Sequence, residues 1–180
     1  MLSLTISGEE LWDEINEEFI YKKSSVIQLE HSLISLSKWE AKYCKPFLTK
    51  QDKSYDEILD YIRFMTLTQN IDQEIYNRLS EKNIKEIKQY IESPMTATVI
   101  KNSKKQRLSG EGVTSELIYY WMVSLGIPFE CQKWHLNRLL TLIRICNIKN
   151  AKPQKMSERE IMKRNAELNK QRKQKYNTRG

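Results

Sequence analysis

The chain of 180 residues is predicted to be mainly α-helical, with a small antiparallel β-sheet at its N-terminus. It contains only five Gly and four Pro, which argues against a loop-rich or many-stranded fold. Most apolar residues after position 30 recur at intervals of three and four, whereas those before it tend to alternate with polar residues. A chain of this length buries about 70% of the surface that its unfolded form exposes, so a substantial core is expected.

The predicted strands lie in residues 1–29. Residues 2–6 alternate apolar side chains with Ser and Thr before Ser7–Gly8 breaks the run, which is typical of a half-buried strand followed by a turn. Residues 19–21 and 26–29 are candidate partners for this strand. We therefore expect a sheet of two or three antiparallel strands.

Residues 30–93 are predicted to form the first helical half of a bundle of about six helices. Helices are expected at residues 33–43, 55–65, 75–79 and 84–91. Asp72 and Asn83 are residue types favoured at N-caps, and each precedes one of the two shorter helices.

A core α-hairpin is predicted over residues 113–151. Thr114 is expected to cap its first helix, and Gly126 to adopt the left-handed conformation that ends it. Pro128 then opens a second, largely buried helix that continues to Lys149. This arrangement imitates a helix-turn-helix, but a recognition helix is short with a polar outer face. An antiparallel α-hairpin is therefore the favoured interpretation.

Two basic, polar segments are expected outside the core. Residues 101–112, KNSKKQRLSGEG, predict an exposed loop between the two helical halves. Residues 152–180 predict a helical tail, partly disordered when alone, with a capping box formed by Ser157 and Glu160. The sequence thus predicts one globular domain, residues 1–151, followed by a tail.

The net charge of +7 lies entirely in the tail. Residues 152–180 contain ten Lys or Arg and three Glu, so residues 1–151 are neutral overall. Such a tail is able to neutralise nucleic-acid phosphates, which makes nucleic-acid binding the main alternative function. The candidate contacts are Arg159, Lys163, Arg164, Lys170, Arg172 and Lys173. At the other end, the acidic residues between positions 9 and 18 precede the first base, Lys22.

Catalytic and metal-binding chemistry has little support in the sequence. Cys131 and His135 are spaced as if on one helical face, but two ligands do not make a metal site. A packed thiol beside a hydrogen-bonded imidazole is the favoured interpretation. Neither a nucleophile elbow nor a phosphate-binding glycine loop occurs. We expect no enzyme activity, no metal and no cofactor.

The sequence also predicts a protein that is neither secreted nor inserted in a membrane. Its first residues lack the basic and apolar regions of a signal peptide, and no run approaches the roughly 18 apolar residues of a membrane span. The three cysteines, Cys44, Cys131 and Cys146, lie far apart and are expected to be reduced.

Aromatic residues are interspersed with apolar ones at helical spacing, which is typical of core and interface packing rather than base stacking. The candidate partner-binding residues are Trp39, Tyr119, Tyr120, Trp121 and Trp134. Trp12, within the acidic segment, is the tryptophan most expected to be exposed.

Several segments together resemble a family of small proteins from tailed phages of siphovirus type that infect Gram-positive bacteria. They are SLSKWEAKYCKPF (35–47), DYIRFMTLTQNID (60–72), PMTAT (94–98), SELIYYWM (115–122), GIPFECQKWHLNRLLTLIRICNIKN (126–150) and NTRG (177–180). Named members of that family are usually called tail assembly chaperones.

The resemblance implies a non-catalytic protein that binds the long, largely helical tape measure protein and helps to recruit tail tube subunits. It implies action in the cytoplasm of the infected host and absence from the mature virion. We also expect the protein to self-associate. A permanent tail or neck adaptor of the virion is a further alternative. The acidic start and the basic tail are expected to pair between neighbouring copies.

Overall fold

A computed structural model describes residues 1–14, 16–49, 52–100, 112–151 and 158–176 and confirms a mainly α-helical protein with N-terminal antiparallel strands. The elements are strands β1 (Leu2–Ile6), β2 (Glu9–Asp13), β3 (Glu18–Lys22) and β4 (Ser25–Leu29), helices α1 (Leu33–Tyr43), α2 (Tyr55–Met65), α3 (Glu81–Glu92), α4 (Ser115–Ser124), α5 (Leu136–Asn150) and α6 (Glu158–Tyr176), and 3₁₀ helices at Gln73–Arg78 and Phe129–Lys133.

The chain divides into two compact units, Met1–Asn147 and Ile148–Gly180. Nearly all of the expected loop at 101–112 lies outside the described residues, as does Ser157 of the expected capping box. No helix within the described ranges combines the length and the apolar composition that crossing a membrane requires.

The four strands form two two-stranded antiparallel sheets that share one register. In the first, β1 pairs with β4, ending with Ile6 opposite Ser25; in the second, β2 pairs with β3, beginning with Glu9 opposite Lys22. Two residues on each side separate the sheets, so the register continues unchanged through the interruption. The expectation of two or three strands missed β2, because its composition is acidic rather than β-branched.

The interruption is fixed by close backbone packing and by an arginine. A Cβ atom on Gly8 would lie 2.7 Å from the carbonyl oxygen of Lys22, so only glycine fits there without a shift. Nη1 of Arg78 donates to two main-chain carbonyl oxygens at the interruption, at 3.3 and 3.4 Å. Lys22 also forms an ion pair with Glu74. The 3₁₀ helix Gln73–Arg78 therefore anchors the middle of the ribbon.

Helix α3 begins earlier than the sequence pattern indicated. The expected N-cap, Asn83, occupies the third helical position, and Ser80 is the N-cap. Ser80 Oγ accepts the Asn83 N–H at 3.2 Å, while Asn83 Oδ1 accepts the Ser80 N–H at 3.1 Å. This reciprocal capping box extends the helix by one turn. Asp72 and Thr114 are N-caps, as predicted.

Two apolar clusters form the core of the first unit, and α1 contributes to both. The strands, α2 and α3 surround Trp39 of α1 in the first cluster. Helices α4 and α5 pack on Leu33 and Leu36 of α1 in the second. Helix α1 is thus the shared wall of the two halves.

The second helix of the predicted α-hairpin is broken. Gly126 ends α4 with a φ of +64°, as expected. Pro128, however, precedes the short 3₁₀ helix Phe129–Lys133, and α5 begins only at Leu136. The connection is too long for a helix-turn-helix, in which about three or four residues join the helices.

The break occurs because residues before α5 bond to the chain that enters α1. His135 forms an isolated antiparallel β-bridge with Ser32, and Trp134 is correspondingly extended. The N–H of Leu136 donates to the carbonyl oxygen of His31 at 2.7 Å. These long-range main-chain bonds replace the helical ones that a continuous helix would make.

A buried carboxylate joins the two halves. Glu40 Oε1 accepts the N–H of Phe47 at 2.8 Å, and Oε2 accepts the N–H of Ser115 at 2.7 Å. Ser115 is the first residue of α4, where a negative charge is also favoured by the helix dipole. Glu40 therefore positions α4 against α1.

Replacing this carboxylate is expected to weaken the fold. In Glu40→Gln one of the two oxygens becomes an NH₂ group, so one main-chain N–H faces a donor. The free energy of unfolding should fall by about 1–3 kcal/mol in chemical denaturation. The control Glu86→Gln, at an exposed position of α3, should change it by less than about 0.5 kcal/mol. Equal losses in the two variants would contradict this role of Glu40.

Candidate functional site

A group of exposed apolar side chains lies at the ribbon end, defined here as β2, β3 and the described residues of their turn. Five large apolar side chains there are exposed: Leu11, Trp12, Phe19, Ile20 and Tyr21. Trp12 is 52% exposed and Tyr21 is 70% exposed. Because large exposed apolar patches often mark interaction sites, the ribbon end is a candidate functional site.

The register distributes these side chains over both faces of the ribbon. Trp12 lies opposite Phe19, with ring centroids 4.8 Å apart, and Tyr21 lies on the same face, 6.5 Å from Phe19. Leu11 lies opposite Ile20 on the other face. The ribbon end therefore has an aromatic face and an aliphatic face.

Acidic side chains surround these two faces. Glu9, Glu10, Glu14, Glu17 and Glu18 are all exposed, and no ion pair found among the described residues involves them. A hydrogen bond from Tyr21 to Glu10 raises the pKa of that tyrosine. The ribbon end thus combines apolar contact area with negative charge.

Sequence reasoning found only part of this surface. The exposure of Trp12 is confirmed, and residues 19–21 are a strand as expected. The pairing of Trp12 with Phe19 was missed because β2 has no alternating pattern. The near mirror symmetry of Leu11–Trp12 and Phe19–Ile20 about the turn is the signal that could have revealed it.

Helix α4 carries three of the candidate partner-binding residues. Of the consecutive residues Tyr119, Tyr120 and Trp121, only Tyr120 is well exposed, at 65%. Tyr119 is half-buried and donates a 2.9 Å hydrogen bond to Gln132 Oε1. Trp121 packs against the second core cluster. Successive helical residues point about 100° apart, so the three cannot share one face.

The two remaining candidate tryptophans serve packing. Trp39 is 1% exposed, and its Nε1 donates to the carbonyl oxygen of Glu57 at 2.9 Å. The expectation that it belongs to a partner-binding surface is therefore corrected. Trp134 is half-buried beneath the guanidinium of Arg138, whose central carbon lies 4.2 Å from the ring centroid.

Helix α6 carries the basic candidates. Arg159, Lys163, Arg164, Lys170, Arg172 and Lys173 are all on the surface of this helix. Arg159, Lys163, Lys170 and Lys173 recur at a spacing that aligns them along one side. The second unit therefore presents a basic stripe.

Cys131 and His135 do not lie on a common helical face, which corrects the expectation. Cys131 ends up in the 3₁₀ helix before α5, with its thiol buried in the second cluster. His135 is 4% exposed and hydrogen-bonded. Among the described residues, no group of three or more His, Cys, Asp or Glu is placed to hold a metal ion. The favoured interpretation, a packed thiol and a bonded imidazole, is confirmed.

The hydrogen bonds of His135 define its protonation. Nε2 lies 3.1 Å from the carbonyl oxygen of Tyr90, and Nδ1 lies 3.3 Å from the N–H of Asn137. The carbonyl can only accept and the N–H can only donate. His135 is therefore the neutral tautomer with its proton on Nε2. Burial lowers its pKa, consistent with that state.

His31 is held neutral beside it. The two imidazole rings are 5.1 Å apart between centroids, and His31 Nδ1 lies 2.5 Å from Tyr61 Oη. Burial, followed by the repulsion that would arise if both imidazoles carried a proton, lowers the pKa of His31 from 6.5 to about 3. The pair is a structural core element that excludes charge.

Comparison with known protein families, curated proteins and solved structures finds no match for this chain.

The histidine pair predicts acid sensitivity. An unfolded histidine gains a proton below pH 6.5 but the folded His31 does not until about pH 3, so its stabilisation is present above pH 6.5 and is lost as the pH falls through this window. Between pH 7.5 and 5 the loss should be about 2 kcal/mol from His31 alone. Denaturant titrations at several pH values measure it.

The chain has only two histidines, so removing them provides the control. In His31→Gln combined with His135→Gln, stability should be lower at neutral pH but nearly independent of pH between 5 and 7.5. A pH dependence equal to that of the unmodified protein would show that other groups cause it.

Proposed function

We propose that this chain is a non-catalytic protein-binding protein, and specifically a tail assembly chaperone of a tailed phage. In this role it binds the tape measure protein in the host cytoplasm, keeps it soluble and assists assembly of the tail tube. The observation that carries the proposal is the exposed apolar ribbon end. The resemblance described above supplies the identity of the client.

The ribbon end has the composition of a protein-binding surface. Aromatic side chains are enriched at interface centres, where they contribute much of the binding energy. Trp12 and Phe19 are already stacked edge to face in the free protein, which lowers the entropy cost of ordering them on binding. A client segment that covers this pair would bury apolar area on both partners.

The position of this surface fits a chaperone role. The ribbon end extends beyond the contacts that anchor the strands. Arg78 and Glu74 bond to the chain at the interruption, and the sheet of β1 and β4 packs on the core. Client binding at β2 and β3 therefore need not disturb the folded body. Release would likewise need no unfolding.

Co-expression tests the proposal directly. The protein is produced together with the tape measure protein of the same phage, and the soluble complex is quantified. The variant Trp12→Ser with Phe19→Ser should reduce the recovered complex by at least about tenfold, equivalent to about 1.4 kcal/mol of binding free energy. Most of the tape measure protein should then be insoluble.

The matched control removes equally exposed apolar side chains elsewhere. Val26→Ser with Tyr55→Ser changes residues on β4 and α2 that are 57% and 61% exposed. This variant should behave as the unmodified protein does. An undiminished amount of complex with the ribbon variant would reject the ribbon end as the client site. Absence of complex with the unmodified protein would reject the tape measure protein as the client.

The tail or neck adaptor is distinguished by the composition of purified particles. A chaperone leaves before the virion is complete, so the protein should be absent from them. Its stoichiometric presence would favour the adaptor.

Nucleic-acid binding is the second candidate, favoured by the basic stripe of α6. Four phosphate contacts by this stripe predict that the logarithm of the association constant for duplex DNA falls with the logarithm of salt concentration with a slope of about −3.6. Lys163→Gln with Lys170→Gln and Lys173→Gln should reduce the slope by about 3. The control Lys82→Gln with Lys85→Gln and Lys88→Gln, on exposed positions of α3, should leave it unchanged. A slope near zero in the unmodified protein would exclude this function for α6.

A further inference from the structure

The two-sided exposure of the ribbon end restricts the shape of what binds it. Trp12 and Phe19 lie on one face, and Leu11 and Ile20 lie on the other. A partner that rests on one face would leave the opposite pair in water. Covering both pairs requires a partner segment that wraps the ribbon, or two segments that enclose it.

The ribbon end is also open along its edges. In the described part of the chain, β2 pairs only with β3, and no further backbone hydrogen bond reaches either strand. A two-stranded ribbon alone has marginal stability, so contacts from a partner would also stabilise the ribbon itself.

The charge of the ribbon end restricts the chemistry of the partner. Five exposed glutamates surround the apolar faces, and the one lysine of these strands, Lys22, is already paired with Glu74. Carboxylates on one surface favour a partner with complementary positive charge and speed its association. They repel nucleic-acid phosphates and anionic lipid headgroups, so a protein segment is the favoured occupant.

We propose that the ribbon end recognises segments of its partner that carry Lys or Arg interleaved with large apolar residues, and that it contacts them with both faces. The inference rests on the proposed function, because it specifies which client segments the ribbon end binds. Lysine and arginine can make two kinds of contact with this surface. Their aliphatic parts pack on aromatic rings, and their charged ends reach the glutamates.

Two synthetic amphipathic peptides test the charge preference on the full chain. They share the same leucine positions and length, and their polar positions are all Lys in one and all Glu in the other. The Lys peptide should bind at least about tenfold more tightly and should weaken as salt is added. Net charge alone predicts the opposite, because the whole chain carries +7 and would attract the Glu peptide.

Variants locate the binding. Trp12→Ser with Phe19→Ser, and separately Leu11→Ser with Ile20→Ser, should each reduce affinity for the Lys peptide at least about tenfold. Glu10→Gln with Glu18→Gln keeps the apolar faces and should reduce the salt dependence and the affinity. The control Glu81→Gln with Glu86→Gln, exposed on α3, should do neither.

Each other outcome would overturn the inference. Equal binding of both peptides, or preference for the Glu peptide, would remove the charge complementarity. Loss of binding in only one of the two apolar variants would show one-sided contact. Tighter binding of a peptide with the sequence of residues 158–176 than of the Lys peptide would assign the surface to a second copy of this chain. None of these assays contains the tape measure protein, so the identity of the client can fail independently of the ribbon's preference.

Discussion

The short segment between β4 and α1, residues 30–32, bonds to three helices of the first unit, α2, α3 and α5. Its main chain bonds to the end of α2, because Glu30 N–H donates to Met65 O at 2.9 Å, and to the start of α5 through the carbonyl of His31. Its side chains reach α2 and α3, since His31 meets Tyr61 and the Glu30 carboxylate accepts the hydroxyl of Tyr90 at 2.7 Å. The two apolar clusters are held in one arrangement through this segment. At its centre His31 is buried, and its imidazole bonds to the hydroxyl of Tyr61.

Much of the helical architecture follows from local signals. Helices α1 and α2 begin and end where apolar periodicity and capping side chains indicate, because those signals act within a few residues. The start of α5 could not be predicted in this way. The sequence from Phe129 to Lys149 is compatible with a continuous helix, and the bridge from His135 to a residue about a hundred positions earlier breaks it. Competition between local propensity and long-range pairing is invisible in a single periodic pattern.

The candidate surfaces also depend on long-range contacts that a local sequence pattern does not reveal. Trp39 and Trp12 are the same residue type, yet their environments differ. Trp39 is a core residue with a hydrogen-bonded indole, and Trp12 is exposed. Charge did indicate that Trp12 would face solvent, since acidic neighbours are costly to bury. The pairing that gives the ribbon end two apolar faces depends on strand register, which joins residues far apart in the periodic pattern and continues from β1 and β4 across the interruption.

The interruption separates two sheets whose side chains are under different constraints, β1 with β4 and β2 with β3. In β1 and β4 the inward side chains must fit a packed core. In β2 and β3, apart from Lys22 with its ion pair to Glu74, the side chains need only keep two strands paired. Substitutions at the exposed positions of β2 and β3 should therefore carry little penalty in folding, so the surface of the ribbon end can change while the body of the protein remains the same. The ribbon end is in this sense a module of the fold whose exposed side chains can vary without redesign of the helical core.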